Sequence, residues 1–240
     1  MPIEARRRGR LPPPSGLDLP PPFRLVRLRE AGDAFAHATT VAAHEGAGTL
    51  VHVGRFDVAE FAVVLEPDEP LATARRALYA GLIALRAALA ADAPPHRLIT
   101  FAWPDALHVD GALAGGVRLA WPAAADEDSP PDWLVLGAMA RVAEASDDQG
   151  VDGPHPALLV ESWARHFAAA IDEWQTDGFG VVADSYLAHL GCERGATPAI
   201  DDNGNLVLRR LDGRLPDRRS LAEALAVPTW LDPASGGLRA

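Results

Sequence analysis

Apolar positions along this chain alternate between two kinds of spacing. Short apolar or alternating runs bounded by glycine, proline or acidic residues fall at Phe23 to Leu28, Leu50 to Val53, Glu60 to Leu65, Leu98 to Trp103 and Trp133 to Met139. Each predicts a strand. Between them the apolar residues recur every three or four positions. Ala34 to His44, stopped at Gly46, predicts one helix. Pro70 to Ala91 predicts a second and longer one, with Leu71, Ala74, Leu78, Leu82, Leu85 and Leu89 on one face and Pro94-Pro95 beyond its end. Leu159, Trp163, Phe167, Ala170 and Trp174 line a helix expected from about Pro156 to Gln175. Gly178-Phe179-Gly180 interrupts it, and Val182, Tyr186, Leu187 and Leu190 mark a further helix ending at Gly191. From Thr197 the character changes. Ile200 and Leu206 to Leu208 flank the turn Asp202-Asn203-Gly204-Asn205, a hairpin signal. A short helix at Ser220 to Ala226 and an irregular tail from Pro228 to Ala240 complete the chain.

The most informative stretch is Ile99 to Trp121. After the apolar strand, Trp103-Pro104-Asp105 turns the chain, because proline donates no hydrogen bond and pushes its predecessor out of the helical region. Leu107 and Val109 form a short strand and Asp110-Gly111 a tight turn. The return strand carries Gly115-Gly116, where the absence of a Cβ lets a ligand or another backbone come close. Together these make a pocket wall or, more plainly, an antiparallel hairpin within a sheet.

Composition narrows the setting. The 240 residues are 48% hydrophobic, enough for one substantial core and a small appendage. A net charge of −11 argues against general binding to nucleic acid or an anionic membrane. Cys192 is the single cysteine, so no internal disulfide forms and a reducing compartment is expected. No apolar run is long enough for a membrane helix and no signal peptide is evident, so a cytoplasmic location is expected. Residues 1–22, with Arg6-Arg7-Arg8 and clustered prolines, predict an extended arm. The chain contains no lysine; all 22 basic residues are arginine. Arginine holds carboxylates and phosphates but cannot serve as an amine nucleophile.

The central stretch resembles the biotin/lipoate A/B protein ligase family, whose motif is a basic residue, Trp-Pro-Asn-Asp-Leu, then a lysine and a glycine. Trp103, Pro104 and Leu107 match; Asp105 and Ala106 stand where the family has Asn and Asp, Ala102 where it has the basic residue, and Ala112 where it has the catalytic lysine. The resemblance implies an α+β fold, a mixed β-sheet with packed helices over residues 23–192, followed by a small β-rich domain over 193–240. It implies a small carboxylate ligand such as biotin or lipoate, ATP with Mg as cofactor, and a biotinyl or lipoyl carrier domain as protein partner. A homodimer is also compatible with it.

By the same resemblance, Asp33 lies where a short motif opens the acyl-binding helix, as a helix cap or a ligand contact. Gly54-Arg55 is what remains of a long adenylate-covering loop, either an anion grip or a plain hairpin loop. Arg141 replaces an asparagine near the nucleotide. Arg55 and Arg141, with Arg118, are the candidates for supplying charge in place of the lysine. Asp33, Gly54, Trp103, Pro104, Asp105, Gly115, Gly116 and Arg118 are the candidate ligand-binding residues. Three acidic residues, Asp126, Glu127 and Asp128, are expected to be solvated rather than to hold a metal, and no zinc site is expected. Cys192 as a nucleophile is the weakest idea, since no partner base is evident. Two function classes stay open: a divergent ligase or acyltransferase, and a non-catalytic relative that binds a carboxylated cofactor or a carrier domain.

Overall fold

The computed structural model describes residues 16–92, 94, 96–142, 155–191 and 194–239. Residues 1–15, where most of the expected arm falls, residues 143–154 and Cys192 lie outside the described residues. Among the described residues, ten strands and six helices follow in the order β1 (Arg24–Leu28), α1 (Ala34–Glu45), β2 (Thr49–Val53), β3 (Val58–Leu65), α2 (Leu71–Ala74), α3 (Ala77–Asp92), β4 (Ile99–Ala102), β5 (Ala106–Val109), β6 (Ala112–Ala120), β7 (Leu134–Arg141), α4 (Pro156–Asp177), α5 (Phe179–Leu187), β8 (Ala196–Ile200), β9 (Leu206–Arg210), β10 (Asp217–Arg219) and α6 (Leu221–Ala224).

Seven strands form one mixed sheet in the order β1-β2-β3-β7-β6-β5-β4. Only the β1–β2 pair is parallel. This is the mixed sheet with packed helices expected from the sequence, with a separate three-stranded sheet, β10-β9-β8, near the C-terminus. Strand alternation divides the sheet into two unlike faces. On one, Phe61, Leu136, Ala138 and Val117 meet α3, α4 and α5 in the main core. Trp163 anchors it, stacked on Phe167 at 4.6 Å and tilted against Phe61 at 4.7 Å, its indole donating to Gly81 O at 3.0 Å. On the other, α1 lays Ala34, Ala38 and Ala42 on Val51, Val53, Ala62, Val64 and Val135. Small residues let this helix lie close to the sheet.

Two expectations need correction. The helix expected over Pro70 to Ala91 is two helices, because the backbone turns at Arg75-Arg76. The guanidinium of Arg75 pairs with Glu127, and the amides of Leu71 and Ala72 donate to Ser129 and Glu127. Arg76 reaches Asp202 O at 2.9 Å. These long-range bonds outweigh the local helical pattern. Glu127 stays exposed, as expected of this acidic stretch, while its carboxylate partners the buried Arg75. Residues 16–22, expected in the arm, lie on the domain: Leu17 and Leu19 pack against the main core, and the Asp18 amide donates to Glu161 at 2.8 Å.

Candidate functional site

The face that carries α1 also carries the charges. β3 is apolar except for Glu60, which points to this side and is 3% exposed. A buried carboxylate needs partners. Glu60 accepts from the Ala34 amide at 3.0 Å, the first turn of α1, where the helix presents unpaired N–H groups. Its second oxygen pairs with Arg55 at 2.9 Å. Burial raises the Glu60 carboxyl above its ordinary value, and the Ala34 amide and Arg55 oppose that shift. Asp33 caps the same helix by accepting from the Ala36 amide at 2.9 Å. Arg118 on β6 lies 3.5 Å from Asp33 and 4.0 Å above the Phe35 ring, and burial lowers its pKa.

Beside these charges lies a narrow, closely packed cleft with no room for a water molecule, lined by Phe35, Glu60, Arg118, Gly137, Met139 and Trp230 among others. Gly137 lines it, and Gly116 lies behind Trp230. A Cβ on Gly137 would fall 2.4 Å from the Phe35 ring, and one on Gly116 would fall 2.2 Å from the Trp230 indole. Trp230 is 1% exposed and donates to Val117 O at 3.2 Å. Tail residues thus complete the site.

The sequence-assigned residues divide into groups. Arg118 lines the cleft, and Asp33, Arg55 and Gly116 lie against it through Arg118, Glu60 and Trp230 respectively. Trp103 and Pro104 serve the opposite face: the Trp103 indole donates to Tyr79 Oη at 2.9 Å, and Tyr186 Oη donates to Pro104 O at 3.3 Å. Asp105 is fully buried and accepts from Thr229, at 3.0 Å from its amide and 2.6 Å from its hydroxyl. Burial raises the Asp105 carboxyl, and the Thr229 bonds oppose the shift. Gly115 allows strand approach, since a Cβ there would meet Met139 O at 2.4 Å. The Gly54 amide donates to Leu28 O, and Arg141 donates to Arg239 O at 2.8 Å. Phe35, Glu60 and Trp230 escaped the sequence reading. Glu60 alone left a signal, a charge within an apolar strand.

The residues present do not form a nucleotide cradle. The Gly54 amide, Arg55 and Arg141 already have protein partners, the cleft as it stands has no room for a ligand, and among the described residues no three His, Cys, Asp or Glu converge to hold a metal. No step through ATP or Mg follows from this arrangement.

A mixed sheet with helices packed on both faces is the fold of biotin protein ligases. The Biotin/lipoate A/B protein ligase family model matches residues 19–188, and the chain belongs to that family. Among solved structures, a biotin protein ligase-like protein of unknown function from Silicibacter sp. TM1040 is 26% identical, covering 88% of this chain and 99% of that one, with a TM-score of 0.74. The biotin protein ligase of Aquifex aeolicus is 12% identical over 82% of this chain and 99% of that one, with a TM-score of 0.60. The Aquifex aeolicus enzyme in complex with biotin and ATP gives the same identity and TM-score over 82% of this chain and 95% of that one. No curated protein matches the chain. Among the described residues, no helix is long and apolar enough to cross a membrane.

Proposed function

We propose that this chain binds a small carboxylated acyl molecule, of the biotin, lipoate or fatty-acid kind, in the cleft between α1 and β6, without adenylating it. The carrying observation is Arg118, a partly buried cation at the cleft whose nearest carboxylate, Asp33, stands at 3.5 Å and is half exposed. An arginine there suits the carboxylate of an entering ligand through its planar fork. Phe35 and Met139 offer apolar walls for an acyl chain. The ligase chemistry of the family uses a lysine to stabilise charge on the activated carboxylate, and this chain has none. Ala112, at the motif position of that lysine, is exposed at the start of β6. Losing one preorganised donor of this kind typically lowers a rate by about 10²–10³-fold.

Calorimetric titration with biotin, lipoate and octanoate, each with and without ATP and Mg, tests the reading. The expected result is binding of an acid that is indifferent to ATP and weakened about tenfold or more by Arg118→Ala, the loss of one charged hydrogen-bonding partner. Binding that tightens with ATP would restore the adenylating reading, with Arg55 and Arg141 as its charge donors. A carrier domain as the partner would show as binding of the apo carrier with no small acid bound.

A further inference from the structure

The C-terminal segment takes up groups that a cleft ligand would need. Thr229 occupies both oxygens of Asp105, Trp230 covers Gly116, and Arg239 O takes Arg141. The segment closes on itself: Arg239 N donates to Trp230 O at 2.9 Å, Asp232 N to Gly237 O at 2.8 Å, and Leu231 bridges Leu238. It is therefore a small folded unit, joined to the sheet by a few side chains. Trp230 is its only buried residue, and its other residues are exposed or half-exposed. One buried aromatic anchor, with the half-buried Leu231 and Leu238 beside it and a handful of hydrogen bonds, is the pattern of a segment that opens below the free energy of global unfolding.

The indole also accounts for the size of the cleft. It lies where a Gly116 Cβ would stand, so its departure opens the space it now fills beside Phe35 and Arg118. Gly116 has a physical reason in this arrangement: a side chain there would expel the indole.

We propose that residues 229–239 form a releasable strap whose Trp230 occupies the cleft as a built-in ligand, so that an entering acyl molecule must displace it. This rests on the cleft being the ligand site. The apparent affinity of the full chain is then reduced by the fraction of molecules whose strap is open.

Two measurements separate the strap from the ligand reading. In native-state hydrogen exchange, the Thr229 amide and the Trp230 indole N–H are expected to exchange at least about 100-fold faster than the Val117 amide, which donates to Asp105 O within the sheet. Exchange of all three together, in global unfolding only, would overturn the strap. In calorimetry with octanoate, biotin and lipoate, Trp230→Ala is expected to bind an acid about tenfold or more tightly than the unmodified chain. Thr229→Val, at an exposed position, gives the same direction with less risk to folding. Equal measurable affinity in all three proteins would overturn the strap. Binding to none of them would overturn the ligand reading, with the exchange result alone deciding whether the strap exists.

Discussion

The two faces of the seven-stranded sheet are built from different chemistry. The helical face is packed with large rings: Trp163, Phe61 and Phe167 form one group, and Tyr79, Tyr186 and Phe101 another, with Tyr186 stacked on Phe101 at 4.8 Å. Its polar atoms are mostly paired inside the core, as in the chain of Trp103, Tyr79 and Gly204 O. The α1 face combines alanines and valines with glycines and desolvated charge: Glu60, Arg118, Gly116 and Gly137. The first face is a core in the ordinary sense. The second has room on it, and that room is filled by Phe35 and by Trp230, which arrives from the far end of the chain. Stability is concentrated on one side of the sheet and adaptability on the other.

If this asymmetry is real, equal truncations must cost unequal amounts. Trp163→Ala is expected to lose about 3–5 kcal/mol in denaturant unfolding, as for a large ring removed from a closed core. Trp230→Ala is expected to lose about 1–2 kcal/mol, because its segment can leave the sheet without opening it. Equal losses would make the faces equivalent. Neighbouring glycines give a finer test. Gly115→Ala drives a Cβ into the β7 backbone and is expected to cost about 3 kcal/mol, whereas Gly116→Ala meets only the Trp230 indole and is expected to cost about 1–2 kcal/mol.

The helical face has its own exception. His52 on β2 is 3% exposed, neither ring nitrogen has a hydrogen-bond partner among the described residues, and burial, with Arg27 and His155 nearby, lowers its pKa to about 4. Between its ordinary value of 6.5 and about 4 the unfolded chain binds a proton that the folded chain refuses. Its contribution is therefore complete above pH 6.5 and is lost as the pH falls toward 4. His52→Phe is expected to flatten that part of the stability profile, gaining on the order of 2 kcal/mol at pH 5 relative to the parent. An unchanged profile would mean that the imidazole finds a proton acceptor. The smallest effect is expected from Arg141→Ala, under about 1 kcal/mol, since it removes one exposed bond to the Arg239 carbonyl.

The helical face was legible in the sequence because its apolar residues repeat at the spacing of a helix or strand. The Trp103-Pro104 corner, the Asp110-Gly111 turn and Gly115-Gly116 were legible for the same local reasons. The close approach expected at Gly116 occurs, and what approaches is a side chain of the protein itself. That pairing spans more than a hundred positions, and nothing in the irregular stretch after Pro228 marks Trp230 as different from a surface tryptophan. The break at Arg75-Arg76 was hidden likewise, since it depends on Glu127 and Asp202 being brought near by the fold. Arg141 and Gly54 were assigned by resemblance, and the structure gives both of them protein partners.

The central claim is that the α1 face is where a ligand enters. Amide chemical shifts followed during titration with octanoate, biotin and lipoate test it directly. The account predicts movement at Ala34, Gly116, Arg118 and Gly137, with the Trp230 indole N–H shifting as it leaves Val117 O and with little change at Gly81 or Leu136. Shifts confined to the helical face, or to the three-stranded sheet, would contradict it.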